Sequence, residues 1–288
     1  MYLEALHSSK QHSDAVTAAE QVLKSQPKSA KAHRIAGKSH YLLKNYDKAI
    51  YHYSALNQID TLSADDAKSF GKAYYQAKND SMATIYFEQS LVKDSTQSDI
   101  YADLGAAYMR MKKFDKAANY FEKKFTQDST ASSAYVNYGL CMEVLQKWDA
   151  GRVALLKVLK QNPKYVQGYY HLAYCLSQMD SIPSAMRAYE TFVGFADTMG
   201  SKYKNELFSA YRYMAVVHLS NKKYSLAEAA LEKVVAIKPN DVEMHLWLAQ
   251  TLHALNKKDE AKKEYQKVLR IDPNNKDAKK GLDMLELY

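Results

Sequence analysis

Glycine and proline are scarce in this chain, at 9 and 5 of 288 residues. Their scarcity disfavours a turn-rich all-β architecture and leaves room for long helices. No apolar run approaches the roughly 18 residues a membrane-spanning helix needs. Met1 to Lys10 show no basic segment followed by an apolar core, so no signal peptide is visible. Blocks of like charge are also missing. The formal net charge is +8, a weak pointer to acidic partners, but the charges are interspersed, as in Lys257, Lys258, Asp259, Glu260, Lys262, Lys263 and Glu264. That pattern reads as a solvated helical surface and not as a nucleic-acid arm. Gly-x-Gly-x-x-Gly, Gly-Lys-Ser/Thr, Gly-x-Ser-x-Gly and His-Glu-x-x-His are all absent, which removes the common phosphate-loop, hydrolase-elbow and zinc-protease signatures.

What the chain does have is hydrophobic residues, at 47%, and tyrosine, at 24. The first figure is above the range of disordered chains. The second suits helix packing, because the ring fills space while the hydroxyl finds a polar partner.

These residues recur with a fixed stride. Steps of 34 from Gly37 land on Gly71, Gly105, Gly139 and then Ala173. A second column runs Ala15, Ala49, Ala83, Ala117, Gly151 and Ala185, and a bulky residue follows four later at Tyr53, Phe87, Phe121, Leu155 and Tyr189. Twelve residues after the second column come Pro27, Thr61, Ser95, Ser129 and Pro163. The sixth unit is longer by eight, and the columns resume at Ala215 and Ala249, Ala227 and Ala261, Leu231 and Tyr265, and Pro239 and Pro273. Within a unit, apolar and small residues recur at three and four, as in Tyr101, Leu104, Gly105 and Tyr108. That is the period of an amphipathic helix. Each unit therefore reads as two helices of about a dozen residues. The glycine column marks close helix approach, since a mid-helix glycine costs up to about 1 kcal/mol against alanine. Asp47, Ser81, Asp115, Asp149, Ser225 and Asp259 are expected to cap the second helices. Pro27, Pro163, Pro239 and Pro273 are expected to follow them.

The pattern resembles the tetratricopeptide repeat. The fourth unit carries it in Tyr101, Leu104, Gly105, Tyr108, Ala117 and Phe121, and the last in Trp247, Leu248, Ala261, Tyr265 and Pro273. The match spans nearly the whole chain. The resemblance implies an all-α, right-handed α-solenoid of about eight helix-turn-helix repeats with a C-terminal capping helix. We expect a single array over 1–288: a partial unit 1–29, then 30–63, 64–97, 98–131, 132–165, a long unit 166–207, then 208–241, 242–275 and a cap over 276–288. On this phase Met1 falls inside a first helix, which suggests an excised segment. The extra residues Gly194 to Ser201 are expected to lengthen the second helix and its loop, with a partner contact as the functional alternative.

Little chemistry stands out against this scaffold. Cys141 and Cys175 lie one repeat apart in a column of small residues. Equivalent points on packed helices are about 8–10 Å apart, beyond disulfide reach, so free, inert, buried thiols are expected. His33 and His40, and His245 and His253, have no acidic or sulfur ligands at metal-site spacing. We therefore expect no metal, no cofactor and no catalysis.

In the family the first helices line a concave groove, and the resemblance implies a protein- or peptide-binding scaffold. Two groove zones follow. A basic zone holds Arg34, Lys38, Lys68 and Lys72, with Lys31, Asp65, Asp99 and Asp103 nearby. A second zone holds Asn137, Leu140, Tyr170, Tyr174, Arg212, Tyr213, Trp247 and Gln250, with His171, Val216, Leu246 and His253. Tyr, Trp and Arg carry binding energy most often, which favours the second zone. Some family members clamp a C-terminal carboxylate, but Lys72 and Asp103 stand here where asparagines belong and Asn137 where arginine does. That clamp is not carried over. The alternatives are anionic-polymer or nucleic-acid binding through the basic zone, or a role as the non-catalytic arm of a larger enzyme. Partner identity and oligomeric state stay open. The segment reads as soluble, cytoplasmic or bacterial periplasmic.

Overall fold

The computed structural model describes residues 11–286, and all regular structure among them is helical. The start of the first repeat, including the placement of Met1, and the last two residues of the expected cap lie outside those described. The chain forms two compact units, 1–154 and 155–288.

The first unit holds α1 (His12–Ser25), α2 (Ala30–Leu42), α3 (Tyr46–Ile59), α4 (Ala64–Gln76), α5 (Asp80–Lys93), α6 (Tyr101–Arg110), α7 (Phe114–Gln127) and α8 (Ser132–Val144). The unit boundary falls inside α9 (Trp148–Gln161). Each helix packs on the next, and first helices also touch first helices: α2 on α4, α4 on α6, α6 on α8. One hairpin cannot bury both of its apolar faces, so stacking provides the core. The repeat columns supply it. Tyr53, Phe87 and Phe121 are almost wholly buried, with the alanines of the second column beside them. The glycine column meets these rings directly. A Cβ on Gly37 would lie 3.1 Å from Tyr53, on Gly71 2.6 Å from Phe87, and on Gly105 2.7 Å from Phe121.

The second unit holds α10 (Val166–Gln178), α11 (Ile182–Ala196), α12 (Lys204–Ser220), α13 (Tyr224–Ile237), α14 (Val242–Ala254), α15 (Lys258–Ile271) and α16 (Lys276–Glu286). Here α10 pairs with α11, α12 with α13 and α14 with α15, and α16 covers both α14 and α15. Ala278 and Gly281 form its buried face, and Gly281 sits against the ring of Tyr265.

Two local expectations need correction. The second helices begin one residue before Asp47, Ser81, Asp115, Asp149, Ser225 and Asp259, so these residues sit inside the first turn and do not cap it. The reason lies in the preceding turn. Lys44, Lys78, Lys112, Gln146, Asp180, Lys222 and Asn256 have φ of +52° to +63°. After each, the next N–H reaches back five residues, as from Lys113 to the Tyr108 carbonyl at 2.9 Å. This closes the first helix and starts the second earlier. The four aspartates still favour the helix N-terminus through the macrodipole. Side-chain caps occur at Ser29, Ser63, Asn79 and Asp241 instead. The second correction concerns the long unit. Its second helix, α11, has 15 residues against 14 for α3. The extra residues form a 3-10 stretch, Asp197–Tyr203, and lengthen the next first helix, α12, to 17 residues against 13 in α10. Gly200 turns that stretch at φ +61°, ψ −135°, a conformation open to glycine alone.

Candidate partner-binding cleft

The basic zone of the first unit is largely neutralised. Arg34 Nε donates to both oxygens of Asp66, at 2.9 and 2.8 Å. Asp66 is itself buried and closes the capping box with Ser63. Lys72 Nζ lies 2.9 Å from Asp99, and Lys68 Nζ 3.5 Å from Asp99 and 3.6 Å from Asp65. Burial opposes the ionisation of Asp99, yet Lys72 and Lys68 hold its carboxyl below the usual range. Burial pushes the Asp103 carboxyl up, and Lys72 pulls against it. Lys38 is half-buried. The arrangement is a row of ion pairs: Arg34–Asp66 joins α2 to α4, Lys68–Asp65 lies within α4, and Lys68 and Lys72 reach Asp99 in the turn before α6.

The second unit offers a different surface. Tyr170, Tyr174, Ser177 and Gln178 of α10, Tyr189 of α11, and Phe208, Ser209, Arg212, Tyr213 and Val216 of α12 line one cleft of about 370 Å³. The rings brace one another and stay partly open. Tyr213 meets Tyr189 at 4.9 Å between centroids, and Tyr170 meets Phe192 at 5.4 Å. Tyr189 and Phe192 are buried, Tyr170 and Tyr213 are half-buried, and Tyr174 and Val216 are 37% and 40% exposed. Beside the cleft Arg212 lies over the ring of Trp247, 5.7 Å from its centroid, and its Nη2 is 3.7 Å from Glu243. Trp247 is half-buried and Gln250 exposed, both on α14.

Of the residues expected in the aromatic zone, the structure therefore gathers Tyr170, Tyr174, Arg212 and Tyr213 at one cleft, with Trp247 joined through Arg212. Asn137 and Leu140 are half-buried on α8 and belong to the first unit. Five cleft residues, Ser177, Gln178, Tyr189, Phe208 and Ser209, were not expected from the sequence. Tyr189 fills the bulky core column and is buried, so its place at the floor of the cleft had no signal. Phe208 lies where the insertion shifts the register.

The repeat architecture allows a comparison with known proteins. Family models of the tetratricopeptide repeat match residues 8–64, 98–125 and 218–285. The chain belongs to the tetratricopeptide repeat family. Such repeats support a protein-interaction scaffold, and proteins built from them are generally non-catalytic. Solved tetratricopeptide structures share the fold. The C-terminal part of a repeat-containing protein from Cytophaga hutchinsonii is 21% identical, covers 86% of this chain and 98% of its own, and superposes with a TM-score of 0.68. YrrB, described as having an unusual peptide-binding site, is 15% identical over 62% of this chain and 92% of its own, with a TM-score of 0.56. A tetratricopeptide repeat protein from Parabacteroides merdae is 15% identical over 89% of this chain and 98% of its own, with a TM-score of 0.53. No curated protein sequence matches. Among the described residues no helix is long and apolar enough to cross a membrane.

Proposed function

We propose that this tetratricopeptide array binds an extended peptide segment of a partner protein in the cleft between α10 and α12. The observation that carries the reading is the convergence of Tyr170, Tyr174, Tyr189, Phe208, Tyr213 and Arg212 on one open recess. Tyrosine and arginine supply large contact area at low entropic cost and dominate binding hot spots. The recess suits an apolar or aromatic side chain held between rings. Ser177, Gln178 and Ser209 offer polar atoms at its rim for the peptide backbone. Arg212, held on Trp247 and shared with Glu243, offers charge to an acidic group. A short peptide held this way binds in the micromolar range, about 8 kcal/mol. The likeness to YrrB, whose description names a peptide-binding site, is one of fold and agrees with this class of ligand.

Photocrosslinking tests the location. A benzophenone amino acid replacing Tyr174 crosslinks a peptide selected from a random library on the intact chain. The same group at Ile85, an exposed residue of α5, does not. Crosslinking at 85 alone counts against the cleft.

The basic zone supports the polyanion reading poorly. Arg34, Lys68 and Lys72 already face carboxylates, and a phosphate chain would have to displace them.

A further inference from the structure

The packing of the first unit repeats a stacked pair of rings, with a third position that is glutamate at Glu20 and Glu88 and serine at Ser54. In its third occurrence Tyr108 of α6 stacks on Tyr120 of α7, with ring planes 5° apart and centroids 5.8 Å apart. Both phenols donate to one oxygen of Glu88 on α5, at 2.5 and 3.1 Å. One repeat earlier Tyr74 stacks on Tyr86 in the same way, at 5.7 Å and 4°. Two repeats earlier the same positions hold His40 of α2, His52 of α3 and Glu20 of α1. The rings still stack, 5.4 Å apart at 12°. The two hydroxyl protons that fill the Tyr–Tyr–Glu station are gone, and two imidazoles stand beside the carboxylate.

Those nitrogens are available. His40 is buried, neither of its ring nitrogens has a hydrogen-bond partner, and its Nε2 stands 3.6 Å from Glu20 Oε1. A buried polar group of this kind calls for an explanation such as a bound ion. His52 is oriented by a relay. The Pro27 carbonyl can only accept, so His33 Nε2 carries a proton and donates to it at 3.0 Å. With both rings neutral, His33 Nδ1 then accepts from His52 Nδ1–H at 3.1 Å, which leaves the lone pair on His52 Nε2. A metal-binding histidine normally donates its second ring N–H to a carboxylate, a backbone carbonyl or water, and here His33 Nδ1 takes the acceptor's place. Burial, then His33, His40 and Lys48, pull the His52 imidazole down to about 4; burial and Lys48 lower that of His40 against the opposing pull of Glu20.

We infer that Glu20, His40 and His52 form a binding site for a late first-row divalent cation of the Zn²⁺ class. One ligand atom from each residue lies within 4.8 Å of the others. Bonds of about 2.0–2.2 Å bring tetrahedral ligands to about 3.3 Å from one another, so the donors must close by up to about 1.5 Å. Glu20 is half-exposed on a flexible stem and can make that move. Lys48 opposes the cation, but it is exposed and can turn to water. Two imidazoles and a carboxylate leave a fourth position for water or a partner's side chain, and the ion joins α1, α2 and α3.

Calorimetric titration of the intact chain with ZnCl₂ tests the site, with Glu20→Gln and a His40→Tyr/His52→Tyr double variant. The double variant restores the pair that already packs at Tyr108 and Tyr120, so it keeps the fold, and circular dichroism checks this. We expect one equivalent bound by the native chain, at least tenfold weaker binding for Glu20→Gln, and none for the double variant. Long-range ¹H–¹⁵N spectra of the native chain should show Nε2 of His52 and a ring nitrogen of His40 shifting on zinc addition. No saturable binding below about 1 mM, or equal binding by the folded double variant, overturns the assignment.

Discussion

Gly71 faces the ring of Phe87 so closely that a methyl group at residue 71 would stand 2.6 Å from Cδ1 and 2.9 Å from Cε1. The obstacle is a fully buried ring that cannot step aside cheaply. Alanine at mid-helix gains up to about 1 kcal/mol of propensity, and overpacking costs about 1–3 kcal/mol. Gly71→Ala and Gly105→Ala should therefore lower stability by up to about 2 kcal/mol, measured by denaturant unfolding. Gly37→Ala, with 3.1 Å to Tyr53, should be close to neutral. A stabilised Gly71→Ala would contradict the packing argument.

The turns give a prediction of opposite sign. Lys78 and Lys112 hold φ of +63° and +58° with side chains that disfavour it. Left-handed backbone costs a non-glycine residue about 1–2 kcal/mol, partly offset by glycine's freedom in the unfolded chain. Lys78→Gly and Lys112→Gly should each stabilise the protein by about 0.5–1 kcal/mol in thermal or denaturant unfolding. A loss would mean that these lysines stabilise the turn by other contacts.

The stride of small and bulky residues made the repeat, its all-helical class and the core columns legible before any coordinates. Gly37, Gly71 and Gly105 meet their rings because both columns keep one register. The turns were less legible. Lysine at the left-handed position carries no sequence signal where glycine would have announced it, and so the true start of each second helix, one residue earlier, is not visible in the sequence. At the cleft, Tyr170, Tyr174, Arg212 and Tyr213 could be read from their place on first helices. Phe208 could not, since the insertion reshapes the helix that carries it. The histidine station was hidden for another reason. Glu20, His40 and His52 lie on three helices, and only stacking brings them together.

The cysteines should be silent in the native state. Both are buried and outside any disulfide, and burial alone pushes the Cys141 thiol up to about 12. Thiolate is the reactive form, so at pH 8 Ellman's reagent should find no fast-reacting thiol in the folded chain and two in guanidinium chloride. A fast-reacting Cys141 would show that α8 opens readily.

The ion-paired first helices should ignore polyanions. Arg34, Lys68 and Lys72 face Asp66, Asp65 and Asp99, so few counterions are left to be released from a bound strand. The chain should leave a heparin column below about 0.2 M salt, within the range where phosphate contacts weaken steeply. Retention to high salt, lost in Lys68→Ala/Lys72→Ala, would revive the basic zone as a binding surface.

The cleft of the second unit bears the functional account, and peptide affinity tests it most directly. A library-selected peptide is titrated calorimetrically into the native chain and into Tyr174→Ala/Tyr213→Ala, with the melting temperature of each recorded. Loss of two hot-spot tyrosines costs about 2 kcal/mol or more. The account predicts at least a tenfold weaker affinity in a double variant that remains folded. Equal affinity in the folded double variant would contradict it.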